Sequence, residues 1–276
     1  MKQFISIFTL GLLFFAQAQR SHASVLEQFD APSTNIVLSE VRYNASGVTF
    51  SPDTKTYFVI QNNTGFIFEY DISFSKLLRK IQMLNLADDD TEDIVYLGNQ
   101  EFAIANESNQ VFIFRLAPGQ TRVDLDSALS SVQMLQLPKA SKKNNGIEGI
   151  CYGNNFFYAV QEMKPKKVYR FTRPASKGDF TNPALFGVRE PFNTDAVMKH
   201  RLSDLSGCYL DPNSMNLLVV SHESSRIMEV SSAGKIIHML DLPRFPEQYE
   251  GITRGPEGEL ILLSEPNIIS IYKPRR

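Results

Sequence analysis

Two sets of polar side chains recur along the chain at a spacing that could build a metal site. The first set has one residue in each of five similar segments: Ser46, Glu92, Glu148, Ser206 and Glu250. The second set follows 14 to 17 residues later in each segment: Asn62, Glu107, Glu162, Glu223 and Glu265. Seven carboxylates in one place would repel one another strongly unless they were protonated, paired with basic groups or bound to a cation.

Carboxylate oxygens are hard ligands, so they indicate a hard cation. Calcium is favoured because it accepts about six to eight oxygens in irregular geometry, and magnesium is the second choice. Zinc is disfavoured because the four histidines, His22, His200, His222 and His238, lack the paired spacing of zinc sites. The predicted calcium ligands are Glu92, Glu107, Glu148, Glu162, Glu223, Glu250 and Glu265.

The same acids also have a structural interpretation without an ion. A repeated Glu-Gly pair suits a position where the carboxylate accepts backbone amides between neighbouring elements and the glycine permits close approach of two strands. Lys164 and Arg226 follow Glu162 and Glu223 closely in the sequence, so salt bridges could neutralise some of the second set. Both interpretations stay open at this point.

Catalytic motifs are otherwise sparse. The sequence contains no GxSxG, HExxH or CxxC motif, no phosphate-binding glycine loop and no dinucleotide fingerprint. His222 lies beside Glu223 within a repeated segment, which makes it the best candidate for a general base. The alternative is a polar residue at the end of a strand with no catalytic role.

The five segments that carry these residues predict a β-propeller. They begin near Ala45, Thr91, Ile147, Leu205 and Tyr249, and the first-set residues are 46, 56, 58 and 44 positions apart. A four-stranded propeller blade takes about 40 to 50 residues, and no helical stripe appears within the intervals. We predict an all-β propeller of five, possibly six, four-stranded blades around a central channel. Residues 35–38 would add an outer strand that closes the ring.

Each segment contains an apolar strand followed by an alternating one. Phe157–Val160, Leu217–Val220 and Leu260–Leu263 are continuous apolar runs, as expected for strands covered on both faces by neighbouring blades. Turn signals such as Gly153-Asn154 and Asp211-Pro212 separate the strands into hairpins. Hairpin geometry would bring the two polar sets to the same end of the channel.

The N-terminal sequence has the pattern of a secretory signal peptide. A short positively charged start precedes the apolar run of residues 4–15, and small residues offer cleavage after Ala18 or Ala23. We therefore expect a signal peptide over residues 1–23 and one propeller domain over residues 24–276. An uncleaved signal that anchors the chain to the inner membrane is the alternative, although the run is short for a span.

Composition narrows the remaining options. The formal net charge of −2 gives no field that would attract nucleic acid, so nucleic-acid binding is not expected. Export permits disulfides, yet a domain of this size needs none, so Cys151 and Cys208 are predicted as two buried thiols, with a Cys151–Cys208 bridge as the alternative. No further segment is apolar enough to span a membrane, and we expect a monomer.

The repeats resemble those of the SdiA-regulated family, exported β-propellers also described as the YjiK or CarP type. The stretches that carry the resemblance are TEDIVYLGNQEFAIANE, NNGIEGICY, LSDLSGCYLDP and YEGITRGPEGELILLSEPN. The resemblance covers nearly all of the chain after the signal and implies a calcium-linked propeller of the bacterial envelope, in the periplasm or secreted. Ser46, Ser206 and Asp93 depart from the acid-Gly pattern, so a complete ring of ligands is not expected.

Two functions fit these features. The first is a calcium-associated binding or scaffold module whose partner is a small molecule or an envelope protein. The second is a calcium-dependent hydrolase of the lactonase, esterase or phytase type, in which Glu92, Glu148 and Glu250 hold the ion and His222 or a spare carboxylate activates water. A phytase would need several basic residues near the acids, and only Lys164 and Arg226 qualify.

Overall fold

The computed structural model describes residues 24–86, 90–126, 128–129, 131–139, 145–163 and 165–275. These residues form five sheets that stand around one axis as the blades of a propeller, which confirms the predicted all-β architecture with five blades rather than six. The predicted signal peptide of residues 1–23 lies outside the described residues. No helix that the structure describes is both long and apolar enough to cross a membrane.

Within each blade, the first three strands follow one another along the chain from the axis outward. In chain order they are β1 (Thr34–Val37), β2 (Ala45–Ser51), β3 (Thr56–Gln61), β4 (Phe66–Tyr70), β5 (Leu77–Leu84), β6 (Thr91–Gly98), β7 (Glu101–Asn106), β8 (Gln110–Arg115), β9 (Arg122–Asp124), β10 (Gln133–Gln136), β11 (Ile147–Gly153), β12 (Phe156–Gln161), β13 (Lys167–Thr172), β14 (Gly178–Phe180), β15 (Gly207–Leu210), β16 (Leu217–Ser221), β17 (Arg226–Val230), β18 (Ile236–Asp241), β19 (Tyr249–Arg254), β20 (Leu260–Ser264) and β21 (Ile268–Tyr272). One short helix, α1 (Thr194–Met198), and two 3-10 turns, Leu26–Gln28 and Pro183–Phe186, complete the described elements.

The blades contain three to five strands each. Blade 1 has the order β2-β3-β4-β5-β9, blade 2 has β6-β7-β8-β10-β14 and blade 3 has β11-β12-β13. Blade 4 has β15-β16-β17-β18, and blade 5 has β19-β20-β21-β1. The neighbours in every blade are antiparallel except for the added outermost strands β9 and β14, which run parallel to β5 and β10.

Alternate residues of a strand enter the two neighbouring blade interfaces. In β3, Phe58 and Ile60 pack towards blade 2, whereas Tyr57 and Val59 pack towards blade 5. A strand covered on both faces must be apolar at every position, because successive side chains point to opposite faces. The described residues accordingly form five hydrophobic clusters, one at each interface between blades.

Strand β1 closes the ring. It pairs with β21 in antiparallel register from Thr34↔Ile271 to Val37↔Ile268, which confirms the predicted outer strand. Blade 5 is therefore built from both ends of the chain. Innermost strands β2, β6, β11, β15 and β19 contact one another in sequence, and β19 returns to β2.

The prediction of two free thiols is wrong. Cys151 of β11 and Cys208 of β15 form a disulfide with a Cα–Cα distance of 5.7 Å. The innermost strands of blades 3 and 4 converge here because Gly149 has no side chain: a Cβ on it would lie 2.7 Å from the Gly207 Cα. The bridge joins residues 57 positions apart. Closing a loop of that length reduces the conformational entropy of the unfolded chain, which corresponds to a stabilisation of the folded protein by about 4 kcal/mol.

Candidate metal site at the channel mouth

The first predicted set lies at the start of the innermost strands. In β2, β6, β11 and β19 the strand register shifts across one residue, and these bulged residues are Ser46, Glu92, Glu148 and Glu250. A β-bulge leaves one residue out of the ladder and re-aims its side chain. In blade 4, Ser206 directly precedes β15. All five side chains line one end of the central channel, called here the channel mouth.

The second set is displaced by one residue in blade 4. The residue that follows the second strand of each blade is Asn62, Glu107, Glu162, His222 or Glu265. His222 therefore occupies the position that the sequence pattern gave to Glu223. The Glu223 side chain is exposed and does not line the mouth, whereas His222 does.

The mouth is a cavity of about 240 Å³ with a strongly acidic wall. Seven carboxylates line it: Asp90, Glu92, Glu107, Glu148, Glu162, Glu250 and Glu265. His222 is the one basic side chain among the described lining residues. Arg226, a proposed neutralising partner, instead pairs with Asp241 at 2.6 Å, and Lys164 lies outside the described residues. The described surroundings thus supply little positive charge to this cavity.

Side chains of the second set contact first-set residues of the next blade. Asn62 Nδ2 donates to Glu92 Oε1 at 3.2 Å, and His222 Nδ1 lies 3.7 Å from Glu250 Oε1. Between blades 2 and 3, carboxylate groups lie close to one another. Glu92, Glu107 and Glu148 each offer a carboxylate oxygen, and these oxygens all lie within 4.8 Å of one another.

The two serines of the first set join neighbouring blades. Ser46 Oγ donates to the Thr91 carbonyl at 2.8 Å, and Ser206 Oγ donates to the Tyr249 carbonyl at 2.6 Å. Both bonds link one innermost strand to the start of the next. Serine at these positions therefore has a structural role, and the first set contains three acids rather than five.

Asp93 also has a structural role. Its carboxylate is buried and accepts hydrogen bonds from Ile94 N at 2.8 Å and Ile150 N at 2.9 Å, which ties β6 to β11. The side chain fits because residue 47 is glycine: a Cβ there would lie 2.4 Å from Asp93 Oδ1. Burial raises the pKa of Asp93 well above its usual range, although both hydrogen bonds oppose this. Asp93 is not among the residues that line the mouth.

Burial raises the pKa of five carboxylates of the mouth: Glu92, Glu148, Glu162, Glu250 and Glu265. Burial raises the pKa of Glu92 well above its usual range, and the charges of Asp90 and Glu107 add to the effect. Burial likewise raises the pKa of Glu148, with Glu92 and Glu107 contributing. A cation would relieve the same repulsion without protons.

The donor set fits a hard cation. Three carboxylates lie close enough to share one ion, and carboxylate and carbonyl oxygens are the ligands that calcium prefers. Asn62 also lines the mouth, and its Oδ1 is buried and has no hydrogen-bond partner in the described part of the chain. Glu162, Glu250 and Glu265 line the same cavity and complete its acidic wall.

Two further acids, Asp90 and Asp204, were not predicted from the repeats. Each stands two residues before the first-set residue of its blade, a recurrence that was visible in the sequence. Asp204 is fully buried; it accepts a hydrogen bond from Ser221 Oγ and lies 2.7 Å from His222 Nδ1. Burial alone would lower the pKa of His222, but the Asp204 carboxylate outweighs burial and raises it.

Comparison with known proteins agrees with this architecture. The profile of the family described as SdiA-regulated matches residues 21–273. Glutaminyl cyclase from Myxococcus xanthus superposes with a TM-score of 0.55 at 12% identity, covering 88% of this chain and 94% of that one. Regucalcin from Agrobacterium tumefaciens gives 0.54 at 13%, covering 90% and 97%. A gluconolactonase from Xanthomonas campestris gives 0.51 at 10%, covering 87% and 89%. Likeness at such identities concerns the fold alone.

Proposed function

The chain belongs to the SdiA-regulated family, and we propose that it is an exported binding module that holds a calcium ion at its channel mouth. The observation that carries this proposal is the meeting of Glu92, Glu107 and Glu148, whose carboxylate oxygens lie within 4.8 Å of one another. Calcium accepts many oxygens in irregular geometry, whereas magnesium requires near-ideal octahedral coordination. The related fold of regucalcin, described as a calcium-binding protein, is in keeping with this choice.

Two features support export to the periplasm or the medium. The apolar run of residues 4–15 with small residues after it has the composition of a signal peptide. The Cys151–Cys208 disulfide suits an oxidising compartment, since such bonds are rare in reducing ones. Retention of the apolar run would instead leave the propeller anchored at the inner membrane, facing the same compartment.

Calorimetric titration of the metal-stripped protein tests the proposal. We expect calcium to bind more tightly than magnesium, and Glu148→Gln to weaken calcium binding by about tenfold or more, because a charged ligand becomes neutral. Glu223→Gln is the matched control, since Glu223 is exposed outside the mouth, and its calcium affinity should equal that of the wild type. No heat of binding with any divalent cation would exclude the metal site and leave the structural interpretation.

Hydrolysis is the second candidate function, and the pair of His222 and Asp204 favours it. A buried carboxylate 2.7 Å from Nδ1 orients an imidazole whose ring lines the cavity. A bound cation would polarise an ester or lactone carbonyl, and His222 would move the proton of the attacking water. Phosphoester hydrolysis has less support, because neither Lys nor Arg is among the described residues that line the mouth.

A panel of lactones, carboxylic esters and phosphoesters, assayed with calcium, separates the two candidates. If the protein is a hydrolase, His222→Gln should lose turnover at unchanged calcium affinity, whereas His200→Gln, which alters an exposed histidine, should keep it. A blank panel with the calcium-loaded wild type rejects the hydrolase and leaves the binding module.

A further inference from the structure

The channel has a second end that differs sharply from the acidic mouth. The innermost strands begin at the mouth and run to this far end, where equivalent positions of the five blades are Phe50, Tyr96, Tyr152, Leu210 and Arg254. Four blades thus place a large apolar or aromatic side chain there. Blade 5 has Arg254 at the equivalent position.

These side chains enclose a cavity of about 260 Å³, called here the far-end cavity. Its wall includes the rings of Phe50, Tyr96, Tyr152 and Tyr209, together with the Cys151–Cys208 disulfide. The Tyr96 hydroxyl donates to Asp53, and the Tyr152 hydroxyl donates to Asn155 at 3.2 Å. A concave, mostly apolar cavity with several aromatic rings and one charged side chain is typical of small-molecule sites.

Arg254 is the unsatisfied group of this wall. Its Nε is buried and has no hydrogen-bond partner within the described residues, and its guanidinium forms no ion pair with a described carboxylate. Among the described residues, its guanidinium carbon lies 5.3 Å from the centre of the Phe29 ring. By contrast, Arg173 binds Glu101 through two nitrogens at 2.8 and 3.0 Å. A buried N–H donor without an acceptor is costly, so the Nε position favours an external acceptor such as an anion.

We propose that the far-end cavity binds a small planar carboxylate, whose body packs among the aromatic rings and whose anionic group pairs with Arg254. A guanidinium presents parallel N–H donors that match a carboxylate in bidentate geometry. Aromatic side chains supply apolar area and stacking for a flat body. The acids of the mouth repel the same ligand from the other end, so the two ends of the channel select opposite charges.

Titration with three probes of similar shape tests this proposal: benzoate, the neutral benzamide and the cationic benzamidine. In EDTA, we expect benzoate to bind the wild type about tenfold or more tightly than benzamide does, because only benzoate offers a charged acceptor. Benzamidine should bind more weakly still. EDTA and Glu148→Gln should leave benzoate affinity unchanged, which separates this site from a carboxylate bound to calcium at the mouth.

Variants locate the site. Arg254→Gln should weaken benzoate by about tenfold or more and leave benzamide unchanged, and Arg115→Gln, an exposed arginine outside both cavities, is the matched control. Equal affinity for benzoate and benzamide in the wild type would overturn the proposal even if Arg254→Gln failed to fold. Undiminished benzoate binding by folded Arg254→Gln, or no benzoate binding up to about 10 mM, would overturn it as well.

Discussion

In the absence of calcium, Glu148→Gln is expected to make the protein more stable than the wild type. Glu148 lies with Glu92 and Glu107 in a cluster whose oxygens are within 4.8 Å of one another. Two carboxylates about 5 Å apart repel by about 3 kcal/mol at an effective dielectric constant of ~20. A glutamine of the same shape removes this repulsion, so the free energy of unfolding should rise by about 1–3 kcal/mol in EDTA near pH 8.

Urea unfolding in EDTA and in excess calcium measures this effect. Calcium at about 100 times its dissociation constant should stabilise the wild type by about 2.7 kcal/mol, whereas Glu148→Gln should respond weakly. The variant is therefore more stable without calcium and gains less with it. Glu223→Gln should behave as the wild type in both conditions, because Glu223 is exposed outside the mouth. A Glu148→Gln protein that is less stable than the wild type in EDTA would show that Glu148 is structural.

The propeller itself could be predicted from the sequence because its determinants are local and repeated. A strand between two blades must be apolar at every position, so β12, β16 and β20 appear in the sequence as uninterrupted apolar runs. The spacing of the repeats then gives the number of blades. The outer strand predicted over residues 35–38 is found as β1, which pairs with β21.

The register of blade 4 could not be predicted from residue types alone. Matching glutamate to glutamate selected Glu223, but the position is set by the end of β16 at Ser221, and the next residue is His222. Asp204, the partner of His222, was not predicted because it precedes the first-set residue of its blade, and the repeated pattern was defined from that residue onward. In blade 2 the residue two positions before the first-set residue, Asp90, also lines the mouth.

The disulfide and the far-end cavity depend on how closely the innermost strands approach the axis. Cys151 and Cys208 are 57 positions apart, and only the packing of β11 against β15 brings them together. Arg254 likewise stands in the sequence as an ordinary strand-end arginine. The burial of its Nε atom and the lack of a hydrogen-bond partner for that atom in the described part of the chain depend on the ends of five strands from different blades meeting around one cavity.

The second large effect expected is that the free energy of unfolding of the calcium-free protein rises as the pH falls from about 8 to about 5.5. Burial and neighbouring acids raise the pKa values of Glu92, Glu148 and Glu250 in the folded state. Above the ordinary glutamate value of about 4.3, the folded protein therefore binds more protons than the unfolded chain does. Lowering the pH from about 8 to about 5.5 should raise the free energy of unfolding by about 1.4 kcal/mol per pH unit for each extra proton held.

His222 contributes with the same sign, and calcium should reverse the trend. The raised pKa of His222 gives stability that is present at low pH and lost as the pH rises through the folded value, so His222→Gln isolates its share. Calcium requires deprotonated carboxylates, so its stabilisation should shrink as the pH falls. Urea unfolding across this pH range measures how the free energy of unfolding depends on pH, once in EDTA and once in calcium. Calcium-free stability that rises with pH would mean that the acids of the mouth are ionised and satisfied by the protein, which would remove the physical reason for a cation there.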